Sequence, residues 1–356
     1  MSGPVLIMAG GTGGHIYPGL AVAEALRARG VAVHWLGAEG GMESQKVPPF
    51  DIPFHAVQIS SLRGKGVQGW LSLPLRLGRA VRQAGAVFTS QQPACAVSFG
   101  GYVAGPGGLC ARLRGVPLVV HEQNRIPGMT NKTLARFARV VLQAFDGAFP
   151  QARTVGNPVR ADLAALAPPA QRWKDRSGPP RLLVTGGSQG ARALNRLLPA
   201  AMATLAAHER PLIRHQTGLA DLEDTQALYR TAGLEAEVEP FIDDMAAAYG
   251  RADLVLCRSG ALTVSELAAV GLGALLVPFP NAVDDHQTAN AQVLVAAGAA
   301  ELSQEHALDA EKLAQQLHGL LADRQRCLRM AEAARSVAVP HAAEAVAEAC
   351  LEWVNS

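Results

Sequence analysis

Gly10-Gly-Thr-Gly-Gly14 stands between a short apolar run, Val5–Ala9, and a stretch with helical spacing through Ala21, Val22, Ala25 and Leu26. The same order returns at Leu182–Thr185, Gly186-Gly-Ser-Gln-Gly190, and Ala191, Leu194, Leu197 and Leu198. A glycine loop between a strand and a helix lets backbone N–H groups close on an anion, and the helix N-terminus adds about half a positive charge. The chemistry these residues suit is therefore the holding of phosphate. A single such loop is equally a tight turn with no ligand. A third glycine segment, Phe99-Gly-Gly-Tyr-Val-Ala-Gly-Pro106, lies in the first half, and two loops could grip a diphosphate. Two familiar nucleotide signatures are poorly matched. Gly11-x-Gly13 would need a third glycine where Ile16 stands, and the nearest acid after the second strand is Glu39, so an NAD site has little support. The Gly-Lys-Ser/Thr of a Walker loop is missing.

Elements must place those loops. Two strand–loop–helix openings about half a chain apart predict two doubly wound α/β domains. Val31–Leu36, Leu118–Val120, Leu254–Leu256 and Ala274–Val277 read as further strands. The Pro-rich stretch from Ala167 to Pro180 reads as the way into the second domain, with the linker near residues 158–180. The Ala-rich stretch of about residues 328–354 reads as helix. The boundaries expected are 1–160, 161–340, and a C-terminal helix, 341–356, able to pack back on the first domain.

Composition removes other classes. The 356 residues are 49% hydrophobic, enough for a sizeable core, and the length suggests two domains. Aromatics are 5%, which leaves few platforms for stacking on single-stranded nucleic acid, and no nucleic-acid partner is expected. No Lys or Arg precedes Arg27, so the n-region of a secretion signal is missing. The longest uncharged stretch, Gln83–Ala111, holds six Gly and two Pro and reads as loops and strands rather than a membrane span. Five cysteines without CxxC spacing argue against a disulfide framework or a zinc site and fit a reducing cytoplasm. Residues 1–160 hold 16 Lys and Arg against 6 Asp and Glu, while the remainder holds 16 against 24. A basic first half implies that it meets something anionic.

Seven segments occur in a recognisable order: Gly10-Gly-Thr-Gly-Gly-His15, Ser98-Phe-Gly-Gly-Tyr102, His121-Glu-Gln-Asn124, Gly156-Asn-Pro-Val-Arg160, Gly186-Gly-Ser-Gln-Gly-Ala191, Ser259-Gly-Ala-Leu-Thr-Val-Ser-Glu266 and Asp285-His-Gln287. Together they closely resemble the MurG family, from Val5 to about Ala349. Its members are UDP-N-acetylglucosamine:undecaprenyl-pyrophosphoryl-muramoyl-pentapeptide N-acetylglucosaminyltransferases, which make lipid II. The resemblance implies an α/β protein of GT-B fold, two Rossmann-like doubly wound domains facing a cleft. It implies that the second domain binds UDP-N-acetylglucosamine and that the first receives lipid I.

The resemblance also implies residue roles. Ser188 and Arg160 would contact the diphosphate, and Ile242 would meet the uracil edge through its backbone. Ala261, Leu262, Thr263, Val264 and Ser265 would form the helix start that faces phosphate, and Glu266 would bind the ribose hydroxyls. Gln287 and Asn124 would hold the sugar, with Thr12, Gly13 and Gly14 reaching across from the first domain. Gly100, Gly101 and Tyr102 would receive the acceptor. Some relatives carry Gln-Gln where this chain has Gln287-Thr288, which puts a second amide contact in question.

Glycosyl transfer that expels UDP develops negative charge on the diphosphate, and helix N-termini with Arg160 can stabilise it without metal. No Asp-x-Asp pair occurs, so neither a metal nor a cofactor is expected, and the reaction reads as an inverting single displacement. His15 is the expected general base, with Glu122 its rival.

From Ile52 to His121 there is no Asp or Glu, and seven basic residues occur. Within this stretch Trp70, Leu71, Leu73, Leu75, Leu77 and Val81 interleave with Arg76, Arg79 and Arg82. That pattern suits an anionic membrane surface, although an ordinary packed helix with a basic outer face has the same pattern. The expected location is the cytoplasmic face of the bacterial inner membrane, held peripherally, with room for wall-synthesis protein partners. Competing readings are another GT-B enzyme, such as a diacylglycerol glycosyltransferase or a UDP-N-acetylglucosamine 2-epimerase, and a membrane-bound scaffold that keeps a nucleotide site for regulation.

Overall fold

The computed structural model describes residues 3–59, 73–187 and 191–354. The chain divides into two compact units, Met1–Arg160 with His341–Ser356, and Ala161–Pro340.

The first unit is built on a parallel seven-stranded sheet. Its strands are β1 (Val5–Ala9), β2 (Val33–Ala38), β3 (Phe54–Val57), β4 (Cys95–Gly100), β5 (Leu118–Glu122), β6 (Val140–Gln143) and β7 (Arg153–Thr154). They lie in the order β3-β2-β1-β4-β5-β6-β7. Every residue of β1, β4 and β5 is buried, as the continuous apolar runs of a sheet covered on both faces require. β2 begins at Val33 rather than Val31 and runs on to Ala38, because Gly37 and Ala38 pair with Ala56 and Val57 of β3.

Strand order reverses between β1 and β4, and there the loops leaving neighbouring strands diverge and open a crevice. The register between these strands also slips by one residue. Met8 stands opposite Ser98, but Ala9 stands opposite Gly100. The slip leaves Phe99 as an extra residue and swings Gly100-Gly101 towards the first glycine loop.

The helix Gly13–Arg27 lies close on the sheet. A Cβ at Gly19 would come within 2.6 Å of the Trp35 ring, whose indole N–H donates to Ala9 O at 3.0 Å. The helix Ala342–Val354 completes this core, with Val346, Ala347 and Cys350 fully buried. The Ala-rich stretch of about residues 328–354 falls in two helices, Arg324–Ser336 and Ala342–Val354. Pro340 and a left-handed His341 (φ 61°) break it, and the halves belong to different units.

The second unit repeats the plan with six parallel strands: β8 (Arg181–Thr185), β9 (Leu212–Gln216), β10 (Glu237–Glu239), β11 (Leu254–Cys257), β12 (Ala274–Leu276) and β13 (Ala300–Leu302). Their order is β10-β9-β8-β11-β12-β13, so the reversal falls between β8 and β11. The Pro-rich stretch is not a free linker. It forms the short helices Ala161–Ala164 and Pro169–Trp173, and Trp173 is buried in the second core. The Arg176 guanidinium covers the Trp173 ring and pairs with Asp253, which folds the segment onto β11's start. Among the described residues no helix is long and apolar enough to cross a membrane.

Placing a carboxylate at position 346 would bury an unpaired charge in the first core. Val346→Asp should destabilise that unit by about 3 kcal/mol or more. Calorimetry that resolves both units should show the first transition falling and the second unchanged; a drop in both would mean that the units melt together.

Candidate active site

At the β1/β4 reversal the two glycine loops of the first unit interlock. A Cβ on Gly101 would stand 2.3 Å from Gly10 O, and one on Gly11 would stand 3.2 Å from the Tyr102 ring. Gly11, Gly100 and Gly101 have φ of 91°, 99° and 82°, a region in which side chains are strained. Thr12 is the exposed N-terminal cap of the helix Gly13–Arg27, and its carbonyl accepts from the His15 and Ile16 amides. His15 is half-buried, and its Nδ1 lies 3.0 Å from Gly10 O. A carbonyl only accepts, so Nδ1 carries the hydrogen, and in the neutral imidazole Nε2 then holds the lone pair. Nε2 faces the Gly100 side, 3.4 Å from where a Cβ there would sit.

Beneath the loop lies Glu43, in the one-turn helix Glu43–Lys46, with no exposed surface. Its Oε1 accepts from the Ala38 amide at 2.9 Å and its Oε2 from the Gly11 amide at 3.1 Å. Tyr102 lies nearby, its phenol pushed up in pKa by burial and then by the Glu43 charge. Sequence reasoning missed Glu43. It stopped at Glu39, which is exposed.

At the end of β5, Glu122 is 1% exposed and each carboxylate oxygen accepts twice. Oε1 takes the Asn124 amide (2.9 Å) and Asn124 Nδ2 (3.2 Å); Oε2 takes the Gly128 amide (3.2 Å) and Asn131 Nδ2 (3.0 Å). Four donors fill the lone pairs a base would need, so the expected proton-accepting role gives way to one of fixing the loop 122–131. Asn124 is half-buried, with its Nδ2 committed to Glu122. Asn131, also missed, accepts from Ser98 Oγ at 2.9 Å and so joins this loop to β4. His121 is fully buried, and burial pushes its pKa down to about 4. Its Nε2–H donates to Gly156 O at 2.9 Å. Arg160 is the half-buried last residue of that unit's main stretch.

In the second unit β11 leads through Ser259 to the helix Ala261–Val270, capped by Gly260 with no side-chain acceptor and no acid in its first turn. The Val264 amide donates to Gly260 O at 3.0 Å and its side chain is buried, while Ser265 Oγ donates to Ala261 O at 2.9 Å. Val264 and Ser265 are thus spent on the helix, and the amides of Ala261, Leu262 and Thr263 are the ones at its open end. Glu266 is half-buried and accepts from Tyr249 OH at 3.1 Å. Ile242 has a buried side chain after an exposed Phe241. Gln287 is the second residue of the helix His286–Ala296, behind Asp284 and Asp285 at φ 52° and 50°, and its Oε1 accepts from the Phe279 amide at 2.8 Å. Thr288 bonds Asp285 and Gln304. Ser188 lies outside the described residues.

The residues Val5 to Gln143 match the glycosyltransferase family 28 N-terminal domain, and residues 181–346 match the family 28 C-terminal domain. The chain is 58% identical over 349 residues to a UDP-N-acetylglucosamine–N-acetylmuramyl-(pentapeptide) pyrophosphoryl-undecaprenol N-acetylglucosamine transferase of Xanthomonas axonopodis pv. citri, covering 98% of this chain and 82% of that one. The crystal structure of Acinetobacter baumannii MurG superposes with a TM-score of 0.84 at 41% identity, covering 98% of this chain and 99% of that one. The chain belongs to the MurG family. Its two parallel-sheet units are those of the GT-B glycosyltransferases, and the members' UDP-N-acetylglucosamine-dependent transfer sets the chemistry to be explained. A UDP-GlcNAc 2-epimerase from Neisseria meningitidis also superposes, with a TM-score of 0.67 over 98% of this chain and 100% of that one; at 13% identity it shares the fold alone.

Two features of this MurG-family chain lie around the sites. Of the membrane residues expected from sequence, Trp70 lies outside the described residues. Leu75, Arg76, Arg79 and Arg82 lie on the helix Leu73–Gln91, with Leu75 81% exposed, Arg79 and Arg82 exposed and Arg76 half-buried. In the second unit a buried network supports the helix Arg192–Ala203 that follows the glycine loop. His215 Nε2–H donates to Asn195 Oδ1 and its Nδ1 accepts from Tyr229 OH, both at 3.0 Å. Asn195 Nδ2 in turn donates to Thr217 O and Asp221.

Burial lowers the pKa of His215 to about 4. Above pH 6.5 it is neutral folded or unfolded. Between pH 6.5 and about 4 the unfolded chain takes a proton the folded one refuses, so stability falls with pH, by up to about 3 kcal/mol. His215→Asn should flatten the pH dependence of the second unit's unfolding by urea across this window. An unchanged slope would assign the acid sensitivity elsewhere.

Proposed function

We propose that this chain transfers N-acetylglucosamine, with inversion, from UDP-N-acetylglucosamine to the muramoyl 4-hydroxyl of undecaprenyl-pyrophosphoryl-muramoyl-pentapeptide, lipid I, giving lipid II and UDP. The family membership supports the reaction, since the Xanthomonas relative carries this transferase name at 58% identity. The donor belongs to the second unit. Its diphosphate meets the open amides of Ala261, Leu262 and Thr263, with Arg160 and Ser188, and uracil meets the Ile242 backbone. Glu266, steadied by Tyr249, takes the ribose hydroxyls, and Gln287, whose Oε1 is occupied, offers Nε2 to the sugar. The acceptor belongs to the first unit, at Gly100, Gly101 and Tyr102, with Thr12, Gly13 and Gly14 at the helix start.

The observation that carries the mechanism is the His15 tautomer. With Nδ1–H donated to Gly10 O, Nε2 is the acceptor for the muramoyl hydroxyl proton. As that oxygen bonds the anomeric carbon, the bond from this carbon to the diphosphate oxygen breaks and its electron pair leaves with UDP. Helix amides and Arg160 offset the charge that develops there, without a metal or cofactor. His15→Ala should lower kcat by about 10²–10⁴-fold with donor KM little changed, measured as labelled lipid II from labelled UDP-N-acetylglucosamine and lipid I. A loss under about fivefold would take the role from His15.

The acceptor's lipid implies a membrane surface, and the first unit offers one. The helix Leu73–Gln91 packs beside the helix Ala104–Arg114, and Leu75, Leu77, Leu109 and Leu113 are exposed among Arg76, Arg79, Arg82 and Arg112. Each basic group near an anionic surface contributes about 1 kcal/mol. Replacing Arg76, Arg79 and Arg82 with Glu should abolish cosedimentation with anionic vesicles and preserve UDP binding. Continued cosedimentation would place the membrane face elsewhere.

A further inference from the structure

Glu43 and His15 do not touch, yet one peptide unit joins them. The amide that donates to Glu43 Oε2 belongs to Gly11, and the carbonyl that accepts from His15 Nδ1–H belongs to Gly10. These are the two ends of one trans peptide, whose N–H and C=O point in opposite directions. The groups therefore form a line: buried carboxylate, peptide N–H, peptide C=O, imidazole Nδ1–H, and the Nε2 lone pair at the Gly100 side.

We propose that Glu43 is a positioning residue for His15, acting through the Gly10–Gly11 peptide. The proposal rests on the reading of His15 as the general base. A carboxylate accepting from a peptide N–H draws positive charge towards that end and leaves more negative charge on the carbonyl oxygen. Hydrogen bonds in series polarise one another in this way, more strongly where water is excluded. The strengthened carbonyl holds the imidazole in the Nδ1–H tautomer and favours the imidazolium that forms when Nε2 takes the acceptor's proton. A carboxylate bonded directly to a catalytic histidine does the same in serine proteases; here a peptide is interposed. Glu43 carries no proton in the step.

The surroundings are built for this line. Glu43 is fully buried, and its second oxygen is pinned by the Ala38 amide at the end of β2. Side chains are excluded around it. A Cβ at Gly10 would stand 2.3 Å from Oε1, one at Gly41 2.7 Å from Oε1, and one at Gly37 2.8 Å from Cγ. Among the described residues, titratable groups on the neighbouring elements include Tyr102, packed by Gly11, and Glu122, whose oxygens are taken by the loop 122–131. Neither shares the Gly10–Gly11 peptide.

The test is Glu43→Gln in the full chain, read by the pH profile of kcat, by UDP binding and in a double variant with His15→Ala. The amide keeps the volume but loses the charge and presents an NH₂ where an acceptor is needed. Kcat should fall about tenfold, and the acid limb of its profile should move to lower pH, because the imidazolium loses its support. UDP affinity should hold. In the His15→Ala background the substitution should cost less than about twofold, since its route is gone. A full tenfold cost in that background, or an acid limb that stays put, would overturn the proposal while leaving His15 as base. A His15→Ala variant of near-normal rate would instead remove the reading beneath it. Nitrogen NMR of the wild-type imidazole gives a check that needs no Glu43 variant: Nδ1–H is expected as the neutral tautomer, and Nε2–H would overturn the line.

Discussion

A helix leaves the first amides of its chain without partners inside the helix, and a parallel sheet delivers helix starts at the C-terminal ends of its strands. Where strand order reverses, two such ends open side by side and no crossover covers them. This constraint organises both units. In the first it brings the loop after β1 against the loop after β4. In the second it brings the helix Ala261–Val270, which follows β11, to the end of β8. Donors that cannot be satisfied within the helix become the means of holding an anion.

Close approach is what the glycines allow. Gly101 lies over Gly10 O, Gly107 over the Met8 sulfur, with a Cβ there only 2.4 Å from it, and Gly108 over Leu134. Two of the five glycines from Gly100 to Gly108, Gly107 and Gly108, therefore serve the packing of the helix Ala104–Arg114, not a ligand. A loop of this composition is read for its chemistry, yet most of its constraint is steric.

The strands, the two doubly wound units and the glycine loops were legible in the sequence because each has a local signature: an apolar run, a glycine cluster, a change of period. Residues whose partners lie far along the chain left no such mark. Glu43 meets Gly11 across 32 positions, Asn131 meets Ser98 across 33, and His215 meets Asn195 across 20. Nothing near Glu43 distinguishes it from Glu39, which points outward. Glu122 was found by its motif, but the motif cannot show that Gly128 and Asn131 fold back onto the carboxylate. The Ala-rich C-terminal stretch has helical propensity throughout, and propensity alone does not show that the first of its helices begins at Arg324 and ends at Ser336.

The return of residues 342–354 to the first unit bears on the order of events during synthesis. Ala161–Pro340 is one uninterrupted segment and can close its core once it has left the ribosome. The sheet of the first unit is made earlier, but that unit lacks Val346, Ala347 and Cys350 until the second unit has been synthesised. Until then the apolar faces of β4 and the helix Gly13–Arg27 stay partly bare. The unit whose sheet is made first is thus finished after the other, and its nascent form is the one that needs protection from aggregation.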